Sequence, residues 1–181
     1  MSVAGGTVGT GINQTVAPTE GFATNTELKS LIYTTTSASG NLKALSTDTT
    51  VGAWIFGHQT EFSTFVRPTS TVSTRFFFVV TTTSNATQLG ADLPVAEYAG
   101  FLHNAATSAN WQAIVGDGVN TEMIDTGVVV DNSVMVQLGI QWDGTAANSF
   151  NFFINEALVG AGTLNPSAVA TFRLMAGLQN L

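Results

Sequence analysis

The sequence predicts an all-β protein, an antiparallel β-sandwich, from two repeated patterns. Residues 134–142 alternate between apolar side chains at even positions and mostly polar or small ones at odd positions, which is the period of a strand with one buried face. Residues 150–154 repeat that alternation. Asp-Gly pairs at 117–118 and 143–144 border such segments and are typical of tight turns between antiparallel strands. The second pair joins two of these strands into a long predicted hairpin.

We predict that residues 1–24 form an extended N-terminal arm and residues 25–181 the sandwich domain. The arm consists largely of Gly, Thr, Val and Ala and has no helical period. It is either a disordered terminus or an arm that becomes ordered on a neighbouring subunit. In the second alternative its irregularly spaced apolar side chains are interface residues, namely Val3, Val8, Ile12 and Val16.

Residues 25–60 carry the weakest fold signal. Thr24 and Glu27 have the spacing of a capping box before Leu28, which would begin a short helix. The β-branched run 34–36 disfavours a helix. We therefore favour a strand through residues 31–35.

The second two thirds of the chain predict eight strands. They span residues 62–67, 75–82, 97–104, 110–115, 122–130, 134–142, 150–154 and 170–176. Turn residues separate several of them, at 117–118, 131–132, 143–144, 155–156 and 165–166. Short strands at this spacing are typical of a sandwich.

One predicted strand is apolar on both faces. Residues 76–80 read Phe-Phe-Phe-Val-Val, which indicates a strand that is covered on both sides. It is either central in the sandwich with something lying over its outer face or buried at an interface with a partner. We include Phe76, Phe77 and Phe78 among the predicted interface residues.

Four segments carry a family resemblance. Residues 110–118 (Asn-Trp-Gln-Ala-Ile-Val-Gly-Asp-Gly), 125–128, 141–144 and 153–159 resemble the laminin-G-like, concanavalin-A-like jelly rolls of bacteriophage virion proteins. Residues 62–86 are similar to the same family, so the resemblance extends over most of the predicted domain. It implies a concanavalin-A-like jelly roll in a virion and no catalytic motif. It also implies one more strand after residues 172–177, whose place an N-terminal segment or a neighbour's arm would take here.

Composition excludes several functional classes. The chain has 181 residues, no Cys and a net charge of −7, and only 9% of its residues are charged, against about 25% in an average domain. Five scattered cations cannot neutralise a row of phosphates, so we expect no nucleic-acid partner. No apolar run approaches the roughly 20 residues that span a membrane, so no membrane role is expected. A surface with so few charges suits a protein that is packed against neighbours, or it simply reflects a β-rich chain, because Thr is favoured at exposed strand positions.

Catalytic and metal sites are not predicted. A retaining glycosidase needs two carboxylates in one cleft, whereas Glu122 and Asp125 are three residues apart and therefore point to opposite faces of a strand. His58 and His103 have no partner at ligand spacing. We predict no enzyme and no cofactor. The one alternative is a structural calcium ion near three turn residues, Asp117, Asp125 and Asp143.

Three tryptophans offer a choice between core packing and sugar stacking. Trp142 shares its parity with the apolar residues of 134–142, and Trp111 shares its parity with Ala113 and Val115. This favours core positions for both. For Trp54 the sequence does not decide between core packing and sugar stacking.

Two functions follow. The first is a bacteriophage virion structural protein, most concretely a capsid decoration or cement protein on the capsid surface. It would be made in the host cytoplasm and bind the major capsid protein or other copies of itself, as a homo-oligomer in the virion. The alternative is a lectin-like, carbohydrate-binding domain of a tail or fibre that contacts a glycan on the host surface. The fold alone cannot choose between them.

Overall fold

The computed structural model describes thirteen strands and no helix. The described residues are 19–22, 29–32, 42–46, 54–55, 60–68, 70–82, 92, 96–142, 150–164, 166 and 171–181. The strands are β1 (Thr19–Phe22), β2 (Lys29–Ile32), β3 (Leu42–Ser46), β4 (Trp54–Ile55), β5 (Thr60–Val66), β6 (Thr74–Thr81), β7 (Glu97–Asn104), β8 (Asn110–Asp117), β9 (Thr121–Val129), β10 (Val136–Trp142), β11 (Phe150–Ile154), β12 (Ala157–Gly162) and β13 (Thr171–Asn180).

Two antiparallel sheets form a sandwich. The smaller sheet has the order β12-β11-β10-β5. The larger sheet has the order β3-β13-β6-β7-β8-β9, with β4 also paired to β13. β1 and β2 pair separately as a two-stranded sheet. Since every ladder is antiparallel, the predicted fold class, an all-β antiparallel sandwich, is confirmed.

Several predicted elements match the structure closely. Residues 97–104 and 150–154 are strands with the predicted bounds, and β10 and β11 form the predicted hairpin. Both residues of the predicted turn at 155–156 have positive φ values, as a type I′ hairpin turn requires. The turns at 143–144 and 165–166 are not fully within the described residues.

Several strands differ from prediction. β2 lies at Lys29–Ile32, earlier than the predicted 31–35. The strands that were not predicted are β1, β3, β4 and β12. The last strand continues to Asn180 and pairs with β6 on one side and with β3 and β4 on the other. Segments from the N-terminal third of the chain therefore lie beside the last strand.

The main core fills the space between the sheets. Its buried side chains come from both inner faces and include Phe78, Phe101, Trp111, Leu138, Trp142 and Phe152. The rings of Phe101 and Phe152 meet edge to face across the sandwich, with centroids 5.5 Å apart, a favourable aromatic geometry. The predicted core positions of Trp111 and Trp142 are confirmed, because both side chains are buried.

The outer face of the seven-stranded sheet carries a second apolar cluster. Its buried members are Phe77, Val79, Tyr98, Leu102, Ile114 and Met175. β6 is central in this sheet, so Phe76 and Phe78 point into the main core while Phe77 points to the outer cluster. Burial on both faces within the chain explains why residues 76–80 are apolar throughout, and a role for them in an interface with a partner stays a prediction.

Glycines let the aromatic rings of the outer cluster lie close to the sheet. A Cβ atom at Gly116 would lie 2.5 Å from Cε1 of Tyr98. A Cβ at Gly177 would likewise collide with the ring of Phe77. Each ring covers a backbone position that no larger residue could occupy unless the ring moved.

Part of the predicted arm lies outside the described residues, including Val3, Val8, Ile12 and Val16. Their role in an interface stays a prediction. Thr19–Phe22, at the end of the predicted arm, forms β1. Within the described chain, no helix has the length and apolar character to cross a membrane.

Candidate functional site

Five neighbouring strands place polar side chains at one end of the outer face of the seven-stranded sheet. Register sets them side by side: Gln179 pairs with Arg75, Arg75 with Asn104, and Gln112 with Asp125. We call this set the polar band; it consists of Gln179, Arg75, Asn104, Asn110, Gln112 and Asp125, with Asp92 and Ser108 from the connections. The band borders the outer apolar cluster, because Leu102 pairs with Gln112.

Arg75 holds one half of the band together. Its guanidinium forms an ion pair with Asp92, with an N–O distance of 2.6 Å, and its Nε donates to the same carboxylate at 2.8 Å. A further guanidinium nitrogen donates to Oε1 of Gln179 at 2.5 Å, and Nδ2 of Asn104 donates to Asp92 at 2.7 Å. The two charged side chains are only 12% and 26% exposed. Charges that are buried and paired in this way have fixed positions.

Asp125 anchors the other half. Its Oδ1 accepts hydrogen bonds from Nδ2 of Asn110 and from the backbone N–H of Gly127, both at 2.9 Å. These bonds, the one from Gly127 first, lower the pKa of Asp125 below its usual value, so the carboxylate is ionised at neutral pH. Gly127 has a φ of +69° at an irregularity in the β8–β9 register. The bulge turns the backbone N–H of this glycine toward the carboxylate.

The β7–β8 connection links the two halves. Oγ of Ser108 accepts from Nε2 of Gln112 and from the backbone N–H of Asn110, both at 3.0 Å. Oδ1 of Asn104 accepts from the backbone N–H of Ala106 at 2.9 Å. Band residues of both β7 and β8 are therefore hydrogen-bonded to the connection between these strands.

The β9 end of the band is its most exposed part. Asn104 and Gln112 are buried, Arg75, Gln179 and Asn110 are half-buried, and Asp125 is exposed. Met123 lies two residues before Asp125 on the same face and is 39% exposed. The accessible part thus combines an ionised carboxylate, a primary amide and an apolar side chain.

The described carboxylates do not form a hydrolytic pair on β9. Glu122 faces the other way from Asp125, as predicted, and its Oε2 accepts from the backbone N–H of Thr163 at 2.8 Å. One juxtaposition was missed by the sequence analysis: Glu97 and Asp117 are direct partners on β7 and β8. Asp117 accepts from the N–H groups of the following turn, and its pKa is lowered chiefly by the bond from Asn120. An ionised Asp117 is not suited to the role of general acid in such a pair.

Metal ligands are not clustered within the part of the chain that the structure describes, since no group of three or more His, Asp or Glu side chains is present there. Asp117 lies at the end of β8 and Asp125 at the bulge of β9, and each accepts hydrogen bonds from nearby backbone N–H groups. His58 and Asp143 lie outside the described residues.

His103 is placed in the core. Its ring lies 6.0 Å from that of Trp111 between the centroids, and the side chain is 1% exposed. Neither ring nitrogen has a partner of good hydrogen-bond geometry among the described residues. Burial lowers the pKa of His103, and the nearby backbone of Asn110 offsets part of this effect. His103 is therefore a neutral core residue at neutral pH.

The polar band was not predicted. Arg75, Asn104 and Asp125 are far apart in sequence, and each occurs in a strand that was predicted for other reasons. One sequence feature could have indicated it. In successive antiparallel strands, polar residues follow or precede the apolar stretch at the strand end that lies on the same side of the sheet. Strand register was needed to see that these ends meet.

The sequence itself matches no protein-family model, and no curated protein matches it. Solved structures do resemble the fold. The carbohydrate recognition domain of Emp46p, in its potassium-bound form, has a TM-score of 0.56 at 10% identity, over 80% of this chain and 73% of that one. A native glycosidic hydrolase has a TM-score of 0.52 at 14% identity, over 76% of this chain and 57% of that one.

A third similar structure is the glycoside hydrolase family 16 endo-glucanase from Bacteroides ovatus, with a TM-score of 0.52 and 8% identity, over 76% of this chain and 61% of that one. The chain thus spans less than two thirds of the length of these two hydrolases. The likeness supports the concanavalin-A-like part of the resemblance and gives no support to a laminin-G or bacteriophage relationship. The chain has a concanavalin-A-like jelly-roll fold, which carbohydrate-recognition domains and glycosidases share.

Proposed function

We propose that this chain is a non-catalytic carbohydrate-binding domain whose ligand contacts the open, β9 end of the polar band. The observation that carries the proposal is the grouping of Asp125, Asn110 and Met123 on one exposed surface beside a buried hydrogen-bond network. Sugars present vicinal hydroxyl groups and apolar C–H faces. A carboxylate accepts from the hydroxyls, an amide both donates and accepts, and an apolar side chain covers the C–H face.

The buried half of the band supports this site by fixing it. Gln112 bonds to Ser108, and Ser108 in turn holds the backbone of Asn110. The bulge at Gly127 sets the orientation of Asp125. A site whose groups are held in place before binding loses little conformational freedom when the ligand arrives.

Catalysis is not part of the proposal. Hydrolysis with retention needs a carboxylic acid and a second carboxylate about 5 Å apart in one cleft. On β9, Glu122 and Asp125 face opposite sides, and both accept backbone or side-chain hydrogen bonds within the fold. We expect purified protein to hydrolyse no polysaccharide.

The test is direct binding of the purified chain to neutral polysaccharides. Mixed-linkage β-1,3-1,4-glucan is the first probe, because one structural neighbour is a β-1,3-1,4-glucanase. Asp125→Asn keeps an acceptor for Gly127 but removes the charge, so we expect the affinity to fall about ten-fold, the effect of one charge-assisted hydrogen bond. Asn110→Ala and Met123→Ala should weaken binding as well.

Glu156→Gln is the matched control, since Glu156 is an exposed carboxylate on the other sheet, in the turn between β11 and β12. It should bind like the unmodified protein. Thermal unfolding of each variant separates loss of the site from loss of the fold. If Asp125→Asn and Glu156→Gln bind the glucan equally well, or if no neutral polysaccharide binds, the site assignment is wrong.

A virion decoration protein is our second proposal. The outer face of the four-stranded sheet exposes Phe65 and Leu158, at 66% and 61%, and this favours attachment to a protein surface. Under this proposal the partner is a major capsid protein and the location is the capsid surface. Decoration of purified particles should then fall on Phe65→Ser and stay unchanged on Asp125→Asn, the opposite pattern to glycan binding.

A further inference from the structure

The edges of the two sheets differ in how they are protected. β5 and β12 border the four-stranded sheet, and β3 and β9 border the seven-stranded sheet, with no further described strand beside them. An edge strand presents backbone N–H and C=O groups to which another chain can pair. Proteins often blunt such an edge with a bulge.

β9 and β12 both carry this protection. The register of β9 shifts opposite Asn110 and Gln112, where Gly127 has a positive φ. The register of β12 shifts opposite Phe152 and Phe153. Neither strand offers a regular row of backbone groups.

β5 has no such protection. Its seven residues pair with seven consecutive residues of β10 without any shift, from Thr60 opposite Trp142 to Val66 opposite Val136. No proline interrupts the strand, since Pro68 lies beyond its end. Of the four edges, β5 and β3 are therefore the regular ones, and β5 is the longer, with seven paired residues against five in β3.

The exposed side chains along β5 and the residue after it are complementary to those of a second copy of the same strand. Glu61, Ser63 and Phe65 lie on the outer face of β5, Arg67 directly follows its last residue, Val66, and all four side chains are exposed. If a second copy of β5 pairs antiparallel with a two-fold axis at Thr64, Glu61 lies opposite the second copy's Arg67, and Ser63 lies opposite the second copy's Phe65. Opposite charges directly across a strand pair stabilise it. Neither Glu61 nor Arg67 forms an ion pair with another described residue.

Other two-fold registers lose this match. An axis at Ser63 places Glu61 opposite Phe65, and an axis at Phe65 places Arg67 opposite Ser63. Among these axes, the one at Thr64 brings Glu61 of β5 opposite Arg67, the residue after β5, and it does so twice by symmetry.

We propose that two copies of this chain associate through their β5 strands, antiparallel and in the register centred on Thr64, so that the two four-stranded sheets join into one eight-stranded sheet. The pairing gives hydrogen-bond partners to the backbone N–H and C=O groups at the edges of both copies. It also places two Glu61–Arg67 pairs across the interface. It does not involve the polar band, so it is independent of the proposed glycan binding.

A single introduced cysteine tests the register. The chain contains no cysteine, so Thr64→Cys provides the only thiol. Directly opposite residues of antiparallel strands have Cα atoms about 4.5–5.5 Å apart, within the range that a disulfide spans. Thr64→Cys should give a disulfide-linked dimer under mild oxidation. Thr121→Cys, on the bulged edge strand β9, is the control and should cross-link at least ten-fold more slowly.

A charge exchange tests the same register without a covalent bond. Glu61→Arg alone and Arg67→Glu alone each place two like-charge pairs across the interface, so each should raise the dimer dissociation constant about ten-fold. The double variant restores opposite charges and should return the constant to that of the unmodified protein. Sedimentation velocity measures it.

The proposal is wrong if the unmodified chain stays monomeric up to about 1 mM, or if Thr64→Cys and Thr121→Cys cross-link at the same rate. It is also wrong if the double charge variant dimerises no better than the single variants. Far-ultraviolet circular dichroism of each variant checks that the sandwich is folded.

Discussion

Replacing His103 should remove a pH dependence from the stability of the fold. The side chain is buried on the inner face of the seven-stranded sheet, where Phe76 is its cross-strand partner and the Trp111 ring packs nearby. These neighbours are uncharged, and burial lowers the pKa of the imidazole. In the unfolded chain the pKa is about 6.5. Below that pH the unfolded state therefore binds a proton that the folded state does not.

The sign follows from this difference. The contribution of neutral His103 to the free energy of unfolding is fully present above the unfolded pKa of about 6.5. It is lost as the pH falls from there toward the lowered pKa of the folded state. If the folded imidazole stays neutral down to pH 5.5, the loss between pH 7.0 and 5.5 is about 1.2 kcal/mol. The lowered pKa values of Asp117, Asp125 and Asp131 affect stability only at more acidic pH, near and below about 4.

Urea unfolding of the unmodified protein and of His103→Leu, each at both pH values, measures the effect. The unmodified protein should lose about 1.2 kcal/mol more than the variant on acidification. Any contribution from His58 is common to both proteins and cancels in the difference. At pH 7.0 the variant should be as stable or more stable, because two buried nitrogens without good partners are removed. Equal losses in the two proteins would refute a buried, neutral His103.

Two further predictions concern packing. Trp142→Ala should lower the free energy of unfolding by about 3–5 kcal/mol, because it removes a buried aromatic ring between the sheets; an unchanged midpoint in urea would contradict its core position. Gly177→Ala should cost about 1–3 kcal/mol because its Cβ meets the buried ring of Phe77. Gly127→Ala should lower the free energy of unfolding by roughly 1 kcal/mol through its positive φ alone. Adding Phe77→Leu should therefore restore stability to Gly177→Ala and not to Gly127→Ala.

Strands with strong alternation, and the continuous apolar strand β6, could be predicted from sequence, whereas β12 could not. β10 and β11 alternate large apolar residues with polar ones, and their hairpin agrees with prediction. β12 reads Ala-Leu-Val-Gly-Ala-Gly, and its small residues give no period that separates a strand from a loop. Its place at the edge depends on packing of Gly162 against Val115 of the other sheet, a long-range contact.

The candidate site shows the same division. Asp125 was recognised as a residue near a turn, but its role depends on Gly127, whose bulge follows from pairing with β8. Arg75 and Asp92 form an ion pair from a strand and a connection, and no local pattern predicts that they meet. Binary patterns predict which faces of the strands are buried, whereas register decides which polar residues become neighbours.

The two proposed surfaces lie on different sheets, and this separation has a consequence for function. The polar band belongs to β13, β6, β7, β8 and β9, while the self-complementary edge belongs to β5. Pairing through β5 would give a dimer with two glycan sites and no change in either. A weak single site then binds a polymer with many repeats far more tightly, because the second contact is intramolecular. Low affinity for a short oligosaccharide, together with strong retention on the polymer that is lost on Glu61→Arg, is the behaviour that two independent surfaces require.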